Sequence, residues 1–251
     1  MTDEIFISRD LSEPDGSVIS RNVSEIKERI AAAAAVSGRQ ADEITLVAAT
    51  KTRSASAVKL AVAAGVDAVG ENRVNEMLEK KAEGAYAGAP LHFIGHLQKN
   101  KANRAVKAAD MIQSVDSAQL AELISRIAEA EGLQRDILLE INIAGEAGKF
   151  GFSPGELPGA AEFCARLPGV RVKGLMAIPP IAKNPGDNDR WFSEMQKLFV
   201  DIRSKKYDNI FMEFLSMGMS DDFESAVSFG SNVVRIGSAI FGRRPPAPRP
   251  R

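Results

Sequence analysis

Short apolar, β-branched runs alternate along this chain with longer stretches whose apolar residues recur at helical spacing. The runs cover residues 44–50, 66–72, 91–95, 111–115, 137–143, 172–178, 214–219 and 233–237, and each has the length of a buried strand. Helical patterns fill 54–65, 73–84, 99–110, 116–132, 153–169, 188–206 and 221–230, and one more, at 23–38, precedes the first run. Several of them open on Ser or Asp and close on Gly, which supplies hydrogen-bond partners or a left-handed turn at the helix ends. Strand starts recur roughly every 27 residues, the length of a strand plus a crossover helix. Eight such units predict an α/β fold, a single closed (β/α)8 barrel. A doubly wound open sheet would also alternate, but no Gly-x-Gly-x-x-Gly follows the first strand, which favours closure. The extra helix is expected to cover the barrel floor or an outer flank.

The ends differ from this body. Residues 1–20 are polar and contain Pro14 and Gly16, which predicts a flexible arm. Residues 244–251 belong to "RRPPAPRPR" and read as a disordered, Pro-rich basic tail. One domain, 21–243, lies between them. The 251 residues carry 32 Lys+Arg against 33 Asp+Glu, so no global basic field points to nucleic acid or anionic lipid. The single cysteine, Cys164, lies in a helical pattern and reads as a small buried apolar residue. Neither a signal peptide nor a membrane-spanning run is legible, and the cytoplasm is the expected location.

In barrels of this class the site gathers at the C-terminal ends of the strands, where eight loops converge. That rule selects Lys51, Asn72, His96, Ser114, Asp116, Asn142, Met176, the segment 216–220 with Met217 in it, and 235–238. A lysine aimed into a barrel mouth is partly desolvated, which favours the neutral amine that Schiff-base chemistry needs. A lysine snorkelling from a strand end explains Lys51 equally well when it is taken alone. Ser216, Gly218 and Ser220 before one helix, with Gly237 and Ser238 before the next turn, offer hydroxyls and backbone N–H groups to an anion. Loops seven and eight are where such barrels commonly bind phosphate. Ordinary turn chemistry explains either loop by itself; both together, opposite Lys51, suggest a ligand with a carbonyl and a phosphate. Asp221 and Asp222 would cap the following helix and must point away from that anion.

The segments "LVAATKT", "GENRVNE", "HFIGHLQKNK", "GLMAIPP", "LSMGMSDD" and "VRIGSAIFG" occur in this order across residues 44–242. With them the chain resembles the pyridoxal phosphate homeostasis protein family, the YggS/PROSC type. The resemblance implies a barrel like the N-terminal domain of alanine racemases, with pyridoxal 5′-phosphate (PLP) as cofactor. By motif position it implies that Lys51 forms the Schiff base and that Asn72 and Met217 lie beside the cofactor. Ser220, Gly237 and Ser238 would cradle its phosphate, and Arg235 would face the pyridine nitrogen. Many members have Thr where this chain has Ser238, and the hydroxyl is kept.

An arginine facing that nitrogen can only donate, so it would leave the nitrogen unprotonated and weaken the ring as an electron sink. The two tyrosines, Tyr86 and Tyr207, both precede strands and are expected on the N-terminal face. His96 is the best remaining acid–base candidate, with a loop-fixing hydrogen bond as its favoured role, and His92 reads as structural. The leading expectation is a non-catalytic, monomeric PLP carrier of vitamin B6 homeostasis, with PLP-dependent apoenzymes as recipients, no catalytic residue and no metal. A racemase-like PLP enzyme is the alternative. An aldolase-type barrel, with Lys51 attacking a phosphorylated sugar, is another. An adaptor using the basic run 98–107 ranks lower, because no aromatics interleave it for base stacking.

Overall fold

The computed structural model describes residues 14–242. Helix α1, Gly16–Val36, comes first. Eight strands follow: β1 Thr45–Ala49, β2 Ala68–Glu71, β3 Leu91–Phe93, β4 Met111–Val115, β5 Arg135–Ile141, β6 Val170–Ala177, β7 Ile210–Ser216 and β8 Val233–Ile236. The helices after them are α2 Ala55–Ala63, α3 Val74–Ala82, α4 Ala102–Ala108, α5 Ala118–Ala130, α6 Leu157–Ala165, α7 Asp189–Ser204, α8 Phe223–Ser228 and α9 Ser238–Phe241. The strands are parallel and closed in the order β1 to β8, with β8 pairing back onto β1. All eight predicted strands are present. The pattern at 99–110 splits into a 3-10 turn, Lys99–Lys101, and α4.

Strand alternation sorts the side chains into two layers. Leu46 and Ala48 join the large cluster between barrel and helices, while Val47 packs inside with Ala68, Val233 and Phe214. Met111, Leu138 and Met176 complete the interior against the same Phe214. Gly174, at φ 152°, lets β6 press on β7, since a Cβ there would stand 1.8 Å from the Phe214 carbonyl oxygen.

α1 begins earlier than the arm 1–20 allows. Asp15 accepts the N–H groups of Ser17 and Val18 at 2.9 and 3.0 Å, and Ile19 opens a buried stripe through Val23, Ile26 and Ile30. Cap and stripe therefore draw residues 16–20 into the domain. The helix packs on α2, α8 and α9, so it covers an outer flank and not the floor. Residues 1–13 of the expected arm and the Pro-rich tail, 244–251, lie outside the described residues. Among the described residues no helix is long and apolar enough to cross a membrane, and no three His, Cys, Asp or Glu side chains cluster as a metal site would require.

Candidate functional site

The parity that puts Val47 inside the barrel carries on through Ala49 to Lys51, just past the end of β1. On β8 the same parity leads from Val233 to Arg235 and Gly237. These residues meet the β7–α8 loop around a cavity of about 220 Å³, lined by Ala49, Lys51, Ser220, Arg235, Gly237 and Ser238 among others. The Ser220 hydroxyl accepts the N–H groups of Gly237 at 3.4 Å and Ala239 at 3.2 Å. The two loops thus converge on one polar point beside Lys51, since β8 pairs with both β1 and β7. Gly218 permits the turn: its φ is 91°, and a Cβ there would stand 2.6 Å from that of Ala226.

Asp222 accepts the Met219 N–H at 2.7 Å and the Asn188 amide at 2.8 Å. Its carboxylate is held away from the cavity, bonded back to the loop and not to the helix N–H groups it was expected to cap. Asp221 stays on the cavity rim. Met217 does not join the group. Its side chain is wholly buried in the layer beneath the helices, its N–H bonds Val233 O at 3.2 Å, and its carbonyl accepts from Ser231 Oγ at 2.8 Å. Parity explains this, because Phe214 and Ser216 point inward and Met217 therefore points out.

Beneath the cavity a hydrogen-bonded chain crosses the barrel. Arg235 Nη1 donates to Ser216 Oγ at 2.5 Å, and Ser216 donates to Gln113 Oε1 at 2.7 Å. The Gln113 amide lies 2.9 Å from His92 Nδ1. Residues of β3, β4, β7 and β8 can meet in this way only through the interior. Arg235 also donates to the Ala177 carbonyl at 2.9 Å. Burial lowers its pKa to about 10, opposed by Glu140 and Asp222, so it remains a cation at neutral pH. Burial lowers His92 to about 4, with Asp110 and Asp136 opposing, so the imidazole is neutral and can accept from Gln113.

On the other side of the mouth a cavity of about 290 Å³ is lined by Asn72, His96, Glu140, Asn142, Phe150 and Ile178 among others. His96 Nδ1 lies 3.0 Å from Asp116 Oδ2, and its ring stacks on Phe150 at 3.5 Å. This is the loop-fixing bond expected of it. Asn142 staples its own loop, accepting the Glu146 N–H at 3.1 Å and donating to the Glu146 carbonyl at 3.0 Å. Ser114 is spent on the Gly95 carbonyl at 2.5 Å, and Met176 packs in the interior beneath the mouth. Asn72 Oδ1 is buried with no partner among the described residues, an acceptor that a ligand donor in the mouth would satisfy.

Glu140 escaped the sequence reading. It interrupts the apolar run "ILLEINI" at an inward position of β5, and that interruption was its signal. Burial raises its carboxyl to about 7, the Asp116 charge adds to this and Arg235 opposes it. Tyr86 also departs from expectation. Although it precedes β3, its hydroxyl reaches Glu71 Oε1 at 3.0 Å, at the C-terminal end of β2 but outside the barrel wall. Burial and the Glu71 charge push its phenol pKa up. Tyr207 packs at the edge of the outer core. Cys164 is free and buried, and burial raises its thiol to about 12.

Comparison with known proteins places this geometry. The family model described as "Alanine racemase, N-terminal domain" matches residues 20–245. A pyridoxal phosphate homeostasis protein of Pseudomonas aeruginosa is 38% identical over 228 residues, covering 91% of this chain and 96% of its own. The structure of PipY of Synechococcus elongatus with PLP bound is 30% identical, has a TM-score of 0.78, and is matched over 89% of this chain and all of its own. The alanine racemase of Corynebacterium glutamicum, 17% identical with a TM-score of 0.69, shares the fold over 62% of its length.

Proposed function

Since the chain belongs to the pyridoxal phosphate homeostasis proteins of the alanine racemase N-terminal domain family, we propose that it binds PLP in the barrel mouth and serves PLP homeostasis. The observation that carries this reading is the 220 Å³ cavity, which Lys51 and Arg235 line together with Ser220, Gly237 and Ser238 of the two adjacent loops. The residues fit the group. Ser220 and Ser238 would hold the phosphate, joined by the Gly237 and Ala239 N–H groups when these exchange Ser220 Oγ for it; Lys51 would anchor the aldehyde, and Arg235 would face the ring nitrogen. Asn72 Oδ1, without a partner among the described residues, would accept from a donor group of the bound molecule.

Bound PLP supplies a reactive aldehyde and a pyridine ring that withdraws electrons. Arg235 is a cation anchored to Ser216 and Ala177; it can donate to the ring nitrogen but gives it no proton, which leaves the electron sink weak. The chain is therefore read as a carrier that holds and delivers PLP, a monomer in the cytoplasm with PLP-dependent apoenzymes as recipients. Light scattering is expected to return the chain mass of 27.0 kDa, and twice that mass would contradict the monomer.

Adding PLP to the purified protein is expected to raise a visible band. Borohydride then fixes a pyridoxyl group on Lys51, found by peptide mass mapping. Lys51→Ala loses the adduct and keeps its affinity for inorganic phosphate. No adduct on Lys51 in the wild-type protein overturns the reading. A racemase-like catalyst is the second reading, favoured by His96 and Glu140 lining the cavity across the mouth from Lys51. Sustained interconversion of amino-acid enantiomers, lost in Lys51→Ala, would select it.

A further inference from the structure

Behind the wall that carries Lys51 lies a buried polar cluster that the binding site does not use. Lys80, in the last turn of α3, is 5% exposed, and Glu71 is fully buried. The Lys80 ammonium donates to the Thr50 carbonyl, to Glu71 Oε1 and to Glu76 Oε1, each at 2.8 Å. All three of its protons are thereby placed. Glu71 Oε1 also accepts from Thr50 Oγ1 at 2.6 Å and from Tyr86. Glu76 Oε1 in turn accepts the Thr52 N–H.

The Thr50 carbonyl belongs to the peptide before Lys51, and the Thr52 N–H to the peptide after it. One ammonium thus holds both peptides flanking Lys51, the first directly and the second through Glu76. Thr52 sits at φ 64°, a left-handed conformation unusual for a β-branched residue, which persists only where its surroundings enforce it. A buried ion pair is by itself weak evidence of stabilisation, because an apolar pair of similar volume often does as well. Here the charges act on the backbone at one point.

We propose that Lys80, acting through Glu76, is a positioning residue that sets the aim of Lys51 into the barrel mouth. The proposal rests on the reading of Lys51 as the PLP anchor. Neither Lys80 nor Glu76 lines the 220 Å³ cavity, so the cluster acts on the anchor and leaves the anion loops alone.

The test compares Glu76→Ala, Glu76→Gln and Lys80→Met with wild type in two measurements on the full chain. One is the rate of borohydride-trapped adduct on Lys51 with added PLP. The other is the affinity for inorganic phosphate, read by its competition with PLP. Glu76→Ala removes the acceptor of the Thr52 N–H and leaves the Lys80–Glu71 pair in place. Its trapping rate is expected to fall by about tenfold or more, as for a displaced reacting group, with phosphate affinity unchanged. Glu76→Gln keeps an acceptor oxygen and restores most of the rate. Lys80→Met loses at least as much as Glu76→Ala. Trapping at the wild-type rate in Glu76→Ala overturns the proposal, whether or not Lys80→Met folds. So does a loss of phosphate affinity in step with trapping. Absence of any adduct in the wild-type protein instead overturns the reading of Lys51 beneath it.

Discussion

Glu140 and His92, both inside the barrel, tie stability to pH in opposite directions. Glu140 has its carboxyl raised from 4.5 to about 7. Between those values the unfolded chain has released a proton that the folded chain keeps, so stability falls as pH rises through the window. His92 is lowered from 6.5 to about 4, so between those values the unfolded chain binds the extra proton and stability rises with pH. The two dependences largely cancel from about 4.5 to 6.5. Glu140→Gln removes one of them, and its urea midpoint is expected to climb with pH across that range more steeply than that of wild type. A parallel shift of the whole curve would contradict these assignments. Lys51, Asn72, Arg235, Gly237 and Ser238 were legible as mouth residues, because a strand end can be read from where an apolar run stops. Met217 stands apart from them, since the parity of Phe214 and Ser216 turns its side chain into the outer layer and a motif position does not carry that direction.

Single elements bring the residues to their places. The β7–α8 loop can reach the Gly237 turn because Gly218 occupies φ 91° and its missing side chain leaves room for Ala226 and the Phe223 backbone. Gly218→Ala requires a left-handed alanine and a displaced α8. Phosphate affinity is expected to fall at least tenfold, with a stability loss of about 1–3 kcal/mol. Isothermal titration and urea unfolding would measure the two effects, and unchanged phosphate affinity would show that the loop does not depend on this close approach. The β1–α2 turn is the corresponding element for Lys51. The control proposed for Lys80 and Glu76 was invisible in the chain, where 73–84 reads only as a helical pattern. Lys80 is drawn inward because Glu71, at an outward position of β2, would otherwise be buried without a counter-charge.

At the scale of the whole molecule, α1 joins the helical layer around the barrel. Its stripe from Ile19 to Ala34 is buried against α2, α8 and α9, and the Asn22 side chain bonds the Ile240 carbonyl at 2.9 Å. Ile26→Ala deletes a side chain 2% exposed and should cost about 2–5 kcal/mol in urea unfolding, the usual range for emptying such a site. PLP trapping on Lys51 should hold, since Ile26 touches only the outer layer. The chain alone determined the eight-fold alternation, the closed barrel and which residues stand at the strand ends, because periodicity and apolar run length are local properties. Local pattern also marked Lys51 and the two loops that line its cavity. Tertiary structure alone decided what meets across the interior: the chain from His92 to Arg235, the Glu140 carboxyl in the mouth, and the Lys80 ammonium behind Lys51. Such contacts join residues far apart in sequence, and their partners are set by strand register and burial, which no stretch of sequence encodes by itself.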